Sequence, residues 1–250
     1  MPHRPSGPLP AAIRLTPPAD ATLFSALRQA ATLYRGQPGG VEDGTGPISR
    51  EELIKRSLGA ARIVSHLTAP GETVGILLPN VGGTLAALIG CAAVGRVAAM
   101  LNYGVGSETI NEACRAAQVR TVITSRAFVE RAGLAPVVER IEPEVRFIED
   151  LRESLGALDR LWIAAALLAP GLVLPRGDRE AAAVILFTSG SEGTPKGVVL
   201  SHRALLANIA QILSALGVHD LILLTNSPQP RVIGLDAYGL TITGTRRIPE

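Results

Sequence analysis

The sequence has 250 residues, of which 47% are hydrophobic and 18% charged, and its net charge is +2. This composition is typical of a globular protein with a sizeable core and excludes a largely disordered chain. The near-neutral charge gives no reason to expect nucleic acid as a partner. The longest apolar stretch, residues 161–174, contains Pro170-Gly171 and is shorter than the roughly 20 residues of a membrane span. We predict a cytoplasmic protein that contacts membranes only through a fused or missing domain.

The N-terminal part of the sequence predicts two helices behind a flexible segment. Residues 1–20 are rich in proline and predict a flexible arm. A helix is predicted over 21–34, followed by a turn-rich stretch at 36–47. Ser49 and Glu52 have the spacing of a capping box, which predicts that the next helix covers 50–67.

Residues 70–168 alternate between short apolar runs and helical patterns. The predicted strands are 73–78, 97–101, 121–124 and 145–148, and the predicted helices are 84–94, 107–118 (capped by Ser107), 129–141 and 151–168. Strands separated by helices of this length favour right-handed βαβ units. The sequence therefore predicts an α/β fold with mostly parallel sheets flanked by helices.

A second group of strands is predicted to begin at Ala182 and to start a second sheet. It leads into a loop, a short strand at 198–200, and a helix capped by Ser201. We predict a first α/β subdomain at 21–178, the start of a second at 179–216, and a divergent tail at 217–250 that leaves the domain incomplete.

Isolated cysteines and histidines give no sign of catalysis or of a metal site. Cys91 and Cys114 lie in apolar helical patterns and are predicted to be buried small hydrophobes. His66 and His219 have no acidic partner at a recognisable spacing, and His202 is predicted to pack at a helix start beside the loop.

The loop between residues 188 and 197 combines glycines, hydroxyls and one cation. It consists of Thr188, Ser189, Gly190, Ser191, Glu192, Gly193, Thr194, Pro195, Lys196 and Gly197. Glycines let backbone N–H groups approach phosphate oxygens, hydroxyls donate further hydrogen bonds, and an ammonium supplies positive charge. Lys196 is one of only two lysines, with Lys55, in a chain that otherwise uses arginine. The alternative, a plain surface turn, does not account for that lysine.

Two common phosphate-binding patterns do not fit this loop. A Walker A motif needs GxxxxGK[ST] followed by a helix, whereas Lys196 stands between Pro195 and Gly197 before a strand. The dinucleotide fingerprint GxGxxG is also absent, because its nearest approach at residues 104–109 ends in Thr109.

The loop is similar to the [ST]SG[ST]xGxPKG motif of the adenylate-forming superfamily, which includes acyl-CoA synthetases and nonribosomal peptide adenylation domains. GETVGILLPN (71–80), VAAMLNY (97–103) and SHRALLANIAQ (201–211) also resemble this family. The context FTSGSEGTPKGVVLSHR, with Glu192 where many members have Thr, looks most like the acyl–acyl carrier protein synthetase branch, whose best-known members are fused to a 2-acylglycerophosphoethanolamine acyltransferase. The resemblance implies the N-terminal portion of the family's large domain.

The resemblance also implies a reaction and roles for the loop residues. A fatty acid or other carboxylic acid would attack Mg²⁺-bound ATP, and the acyl group would pass from the acyl-adenylate to acyl carrier protein or CoA. Lys196 would be catalytic, neutralising the departing pyrophosphate. The β- and γ-phosphates would be bound by Thr188, Ser189, Gly190, Ser191, Gly193, Thr194 and Lys196. The roles of Glu192, Pro195 and Gly197 stay open, and no protein metal ligand is predicted.

After Gly217 the motif resemblance fades. We find no counterpart of the family's magnesium-binding acid, ribose-binding Asp or C-terminal Lys, and no HxxxxD acyltransferase pattern. The sequence therefore favours a chain that is truncated or frame-shifted near residue 217. The alternative function is a non-catalytic remnant that binds nucleotide or a partner.

Overall fold

The computed structural model describes residues 21–33, 35–36, 40–44, 46–189, 195–215, 220–224 and 241–246. The chain forms two units, one of residues 19–206 and the other of residues 1–18 with 207–250. In the smaller unit, β9 (Asp220–Leu224) pairs in parallel with β10 (Thr241–Arg246). The subdomain boundaries drawn from the sequence stay predictions, and the arm at 1–20 lies outside the described residues.

Six strands of the described residues form one sheet in the larger unit, in the order β6-β5-β3-β4-β7-β8. They are β3 (Thr73–Ile76), β4 (Val97–Met100), β5 (Thr121–Thr124), β6 (Glu144–Phe147), β7 (Ala182–Ser189) and β8 (Pro195–Ser201). All neighbours are parallel except β7 and β8, which are antiparallel. The predicted α/β fold with a mostly parallel sheet is confirmed.

The prediction that a second sheet begins at Ala182 is wrong. Strand β7 pairs with β4 in the first sheet, with Val184 opposite Ala98 and Leu186 opposite Met100. An apolar run indicates a buried strand but not its partner, and here the long connection from β6 returns the chain to the far side of β4.

The two faces of the sheet are covered by different helices. On one face, α2 (Arg50–Leu67) and α3 (Gly82–Ala93) pack against strands β3 and β4. On the other face, α4 (Ser107–Ala116) packs against β4 and β5. Side chains alternate between the faces along a strand, as Ala98 and Ala99 do by joining different core clusters.

Helices α2 and α3 approach closely at Gly90. A Cβ atom at this position would lie 2.6 Å from the carbonyl oxygen of Ser57 and 2.9 Å from the amide nitrogen of Ala61. Both are backbone atoms, so no side-chain rotation can relieve the overlap. The helices α1 (Leu23–Leu33) and α8 (Ala157–Leu168) complete the core on this side, around Phe24, Leu58 and Ala166.

The stretch predicted as turn-rich, 36–47, contains most of a β-hairpin. Strand β1 (Gly40–Asp43) pairs antiparallel with β2 (Gly46–Ser49). The glycines and Pro47 of this stretch are typical of turns, so the sequence did not indicate two strands of only four residues each. The hairpin is anchored because Ile48 is buried and the Asp43 carboxylate accepts a hydrogen bond of 2.6 Å from the Gly82 amide.

The helix starts are partly as predicted. The Ser49 hydroxyl accepts from the Glu52 amide at 3.1 Å, and Ser201 accepts from Ala204 at 3.2 Å at the start of α10 (His202–Ala215), so these caps are confirmed. The cap predicted at Ser107 is wrong, because Gly106 holds that position without a side-chain hydrogen bond.

Two long predicted helices are each divided. Residues 129–141 form α5 (Arg126–Arg131) and α6 (Ala135–Val138), separated at Gly133, whose φ is +64°. Residues 151–168 belong to α7 (Ile148–Glu153) and α8, separated near Gly156, and α9 (Pro170–Val173) follows. Apolar spacing alone does not reveal a left-handed glycine that ends a helix. Among the described residues, no helix has both the length and the apolar character to span a bilayer.

Candidate functional site

Strands β7 and β8 form a hairpin that extends past the edge of the sheet. The ladder between β7 and β4 ends where Leu186 faces Met100, while β7 continues to Ser189. At about 3.3 Å per residue, the last three residues of β7 reach roughly 10 Å beyond β4. The described end of the hairpin, which consists of Thr188, Ser189, Pro195 and Lys196 and is called the tip below, therefore lies at the edge where the parallel strands have their carboxyl ends.

This hairpin carries the loop singled out in the sequence. Thr188 and Ser189 lie at the end of β7, and Pro195, Lys196 and Gly197 at the start of β8. The remaining five loop residues lie outside the described residues: Gly190, Ser191, Glu192, Gly193 and Thr194. The predicted strand at 198–200 is longer than expected, because the antiparallel ladder extends to Ser189 opposite Pro195.

Thr188 and Lys196 are brought together by this ladder. They are directly opposite each other, and the Thr188 hydroxyl donates to the Lys196 carbonyl oxygen at 3.5 Å. Opposite residues on antiparallel strands share a face of the sheet, and both of these are exposed. Along that face the pairs change from Val184 with Leu200, in the core, to the hydroxyl and the ammonium at the tip.

Gly197 has an identifiable packing role at the base of the tip. It lies opposite Phe187, and a Cβ atom in its place would be 3.1 Å from Cγ2 of Ile185 and 3.5 Å from Cε1 of Phe187. The absence of a side chain lets Ile185 stay in the core. Pro195, two residues before Gly197, is buried.

The charge of Lys196 is not neutralised by the described part of the chain. No carboxylate in the described ranges forms an ion pair with its ammonium. An exposed ammonium beside an exposed hydroxyl is suited to an anionic ligand. Such a ligand would bind at the tip, where the ladder of hydrogen bonds between β7 and β8 ends.

The strand order places this tip near a topological switch point of the sheet, between β3 and β4. The helix after β3 covers one face of the sheet and the helix after β4 covers the other, and β5 lies on the far side of β3. Ligands of open α/β sheets bind at such a switch point, outside the carboxyl ends of the strands. Asn102 and Tyr103 follow β4 at this edge, after Leu101. Sequence reasoning did not single them out, although a polar pair after a buried strand is a usable signal.

His202 packs behind the hairpin as predicted. It is buried at the junction of β8 and α10, and its Nδ1 accepts from the Leu23 amide at 3.5 Å. Burial lowers the pKa of His202, although Asp178 opposes this shift. A neutral imidazole that accepts a backbone hydrogen bond has a structural role here.

His66 has an acidic partner in the structure that no recognisable sequence spacing indicated. Its Nε2 lies 2.8 Å from Oδ1 of Asp159, which also accepts from Nε of Arg62 at 2.7 Å. The second carboxylate oxygen accepts from the Gly156 amide at 2.9 Å, at the start of α8. Hydrogen bonds from His66, Arg62 and Gly156 hold the pKa of Asp159 well below its usual range. This cluster joins α2 to α8.

We expect Asp159→Asn to lower the melting temperature at neutral pH, because the charge that binds Arg62 and His66 is lost. A carboxyl group with a depressed pKa stabilises the fold above its unfolded pKa, about 3.8, and this contribution disappears as pH falls through the folded value. The difference between the variant and the wild type should therefore shrink below pH 3.8 in thermal denaturation. Asp150→Asn, at an exposed pair with Arg126, is the control and should have a smaller effect. An equal effect at Asp150 would contradict this role of Asp159.

Both cysteines are buried small hydrophobes, as predicted. Burial raises the pKa of Cys91 to about 12 and that of Cys114 to about 11, so neither is a thiolate at neutral pH. In the described ranges, no group of three or more His, Cys, Asp or Glu side chains could hold a metal ion. Two cavities of about 310 and 490 Å³ lie at the opposite edge of the sheet, where β5 and β6 begin.

Comparison with known proteins assigns the chain to a family. The profile of the family described as AMP-binding enzyme matches residues 35–245, which is most of the chain. The chain therefore belongs to the AMP-binding enzyme family. The match continues past Gly217, where the motif resemblance ends.

The sequence relatives agree with this assignment, and a solved structure has a similar fold. The chain is 26% identical over 163 residues to 4-coumarate–CoA ligase 1 of Petroselinum crispum, covering 65% of this chain and 29% of the relative. It is 34% identical over 164 residues to sulfoacetate–CoA ligase of Cupriavidus necator, covering 62% and 28%. The N-terminal domain of FACL13 from Mycobacterium tuberculosis has the same fold, with a TM-score of 0.59, 20% identity, and coverage of 92% of this chain and 57% of that one. The aligned part spans less than a third of the two relatives.

Proposed function

We propose that this chain is the ATP-phosphate-binding part of an AMP-forming ligase that joins a carboxylic acid to a thiol. The observation that carries the proposal is the β7–β8 tip, where Thr188 and an ammonium not paired within the described residues, that of Lys196, stand at the carboxyl edge of the sheet. The family assignment and the names of the CoA ligases among its relatives support the same reaction.

In the proposed reaction, an oxygen of the acid attacks the α-phosphorus of ATP. The bond from that phosphorus to the bridging oxygen breaks, and its electron pair leaves with pyrophosphate. The Lys196 ammonium neutralises the charge that develops on this leaving group. Mg²⁺ would arrive bound to ATP and supply further charge. A thiol then displaces AMP from the acyl-adenylate.

The other loop residues would hold the outer phosphates. Hydroxyls of Thr188, Ser189, Ser191 and Thr194 donate to phosphate oxygens, and Gly190 and Gly193 let the backbone amides approach them. Glu192 is an anion and would not contact phosphate. It would orient Lys196 or face solvent.

The substrate of the proposed reaction is a fatty acid, and the acceptor is acyl carrier protein or CoA. The similarity around Glu192 to acyl carrier protein ligases supports this choice. We place the reaction in the cytoplasm and assign no nucleic-acid partner.

The proposal is tested by ATP–pyrophosphate exchange with a panel of fatty acids, using both residues 1–250 and an enzyme of full family length that carries them. We expect acid-dependent exchange in the long enzyme, and ATP binding without exchange in the 250-residue chain. ATP binding with no exchange by the long enzyme for any acid would instead support a non-catalytic nucleotide-binding protein. Robust pyrophosphate release by residues 1–250 alone, above a Lys196→Ala control, would show that the chain holds a complete site.

We further expect the long enzyme to load holo-acyl carrier protein faster than CoA at matched concentrations. The measurement is the initial rate of thioester formation with each acceptor, with the same acid. A clear preference for CoA would place the chain among the acyl-CoA synthetases and reject the carrier-protein assignment, while leaving the adenylation step intact.

A further inference from the structure

The two faces of the β7–β8 hairpin differ near the tip. One face, called the open face below, consists of exposed side chains, with Leu186 opposite Val198 and Thr188 opposite Lys196. In the described part of the chain, no carboxylate forms an ion pair with the Lys196 ammonium. The hydroxyl and the ammonium are therefore accessible to a ligand from this side.

The reverse face of the hairpin is attached to α4. Side chains alternate between the faces along a strand, so Ile185 and Phe187 lie on this side. Ile185 is buried, and Phe187 packs against the same apolar cluster, which includes Ile110 and Ala113 of α4. Helix α4 also contacts β8. The end of the hairpin that extends past β4 is thus supported from the reverse face.

Gly197 fits beneath the Phe187 ring on the reverse face. A Cβ atom at this position would lie 3.5 Å from Cε1 and 3.8 Å from Cδ1 of that ring. It would also lie 3.1 Å from Cγ2 of Ile185, which is closer than most Cβ contacts. An aromatic ring that covers a glycine on the neighbouring strand is a stabilising pair in β-sheets. Since Ile185 is fixed in the core, a side chain at position 197 would displace β8 instead.

We propose that Gly197 is a positioning residue that keeps the Lys196 ammonium in place on the open face, and that the phosphate chain of a nucleotide binds along this face. The proposal rests on the proposed function, because it names the side of the hairpin on which the outer phosphates of ATP bind. Gly197 is bonded to Lys196, so a displacement of β8 at Gly197 moves the ammonium relative to the Thr188 hydroxyl. It gives Gly197, whose role the sequence left open, a part in phosphate binding.

The open face is tested by adding a charge to either side of β8. Val198 and Val199 are 44% and 58% exposed, and they lie on the open and the reverse face. Val198→Glu should weaken binding of inorganic tripolyphosphate roughly threefold or more relative to Val198→Gln, because its carboxylate lies about 7 Å from Lys196 along the same face. Val199→Glu should bind like Val199→Gln. Isothermal titration calorimetry with the 250-residue chain measures each affinity.

The positioning role is tested by a size exchange between Gly197 and Ile185. Gly197→Val should lower tripolyphosphate affinity about tenfold, as expected for the loss of one charge-assisted contact. Adding Ile185→Ala, which removes as many carbon atoms as Gly197→Val adds, should restore most of the affinity. Ile185→Ala alone should lower the melting temperature by leaving a cavity. Affinity and stability would then change independently, which a purely structural role of Gly197 does not produce.

Circular dichroism establishes that each variant is folded, and Ile185→Met, which also lacks Cγ2, replaces Ile185→Ala if that variant is not. Equal losses in Val198→Glu and Val199→Glu would overturn the choice of face. An unchanged affinity in Gly197→Val, or no recovery in the double variant, would overturn the positioning role. If Lys196→Ala still abolishes binding in either case, the proposed function stands. Binding that is absent from the wild type, or unaffected by Lys196→Ala, would overturn both proposals.

Discussion

At least a tenfold loss of ATP affinity is expected when Lys196 is replaced by alanine in the 250-residue chain. Lys196 is exposed at the β7–β8 tip and would form a charge-assisted contact with the outer phosphates of ATP. Such contacts contribute roughly 1.5–3 kcal/mol, and each 1.4 kcal/mol is about a factor of ten in affinity. Isothermal titration calorimetry with Mg²⁺-ATP measures the change.

The other lysine of the chain provides a matched control for this experiment. Lys55, the other lysine, is exposed on α2, and Lys55→Ala removes the same charge from the molecule. Its ATP affinity should equal that of the wild type, while Lys196→Arg should retain part of the affinity because it keeps the charge but not the compact ammonium. Equal affinities for Lys196→Ala and Lys55→Ala would reject the phosphate role of Lys196.

Gly90→Val should destabilise the fold by about 3 kcal/mol or more, at the upper end of overpacking effects in protein cores. Any side chain at Gly90 meets backbone atoms of α2, at 2.6 Å from the Ser57 carbonyl oxygen. The helices α2 and α3 must then separate, which disturbs the core around Leu58 and Ala61. Urea denaturation followed by circular dichroism gives the free energy of unfolding.

Gly83, on the same helix, is the matched control. It is exposed, and a Cβ atom there would lie 3.9 Å from Cγ2 of Val81, an ordinary contact. Gly83→Ala should be neutral or stabilise by up to about 1 kcal/mol through helix propensity, whereas Gly90→Ala should destabilise. If both alanine variants shift the unfolding midpoint in the same direction, helix packing at Gly90 is not as tight as the structure indicates.

Local sequence patterns predicted much of this fold, because the strands and helices of a βαβ unit are each indicated by the spacing of apolar residues within a short segment. The strand at 121–124 and the helix at 50–67 have the bounds that the sequence predicts. Pairings between strands that are distant in sequence could not be predicted. The apolar run that begins at Ala182 indicates a buried strand but does not indicate that β4 is its neighbour. The β1–β2 hairpin was missed because four-residue strands between glycines carry too few side chains to show a period of two.

The candidate site divides in the same way. The segment from Thr188 to Gly197 stands out in the sequence because it combines glycines, hydroxyls and one lysine, and its phosphate-binding role stays a prediction. The geometry of this segment could not be predicted, because the sequence does not show that β4 ends at Met100 while β7 extends past it to Ser189. The partnership of His66 with Asp159 joins residues 93 positions apart, and no local pattern encodes it.

The central claim is that the β7–β8 tip binds the outer phosphates of ATP. Chemical-shift mapping of the ¹⁵N-labelled chain with Mg²⁺-ATP, inorganic tripolyphosphate and AMP tests it most directly. The account predicts that ATP and tripolyphosphate shift the amides of Thr188, Lys196 and Gly197, while AMP leaves them in place. Shifts centred on Glu72 and Arg120, at the cavity on the opposite edge of the sheet, with none at the tip, would contradict it.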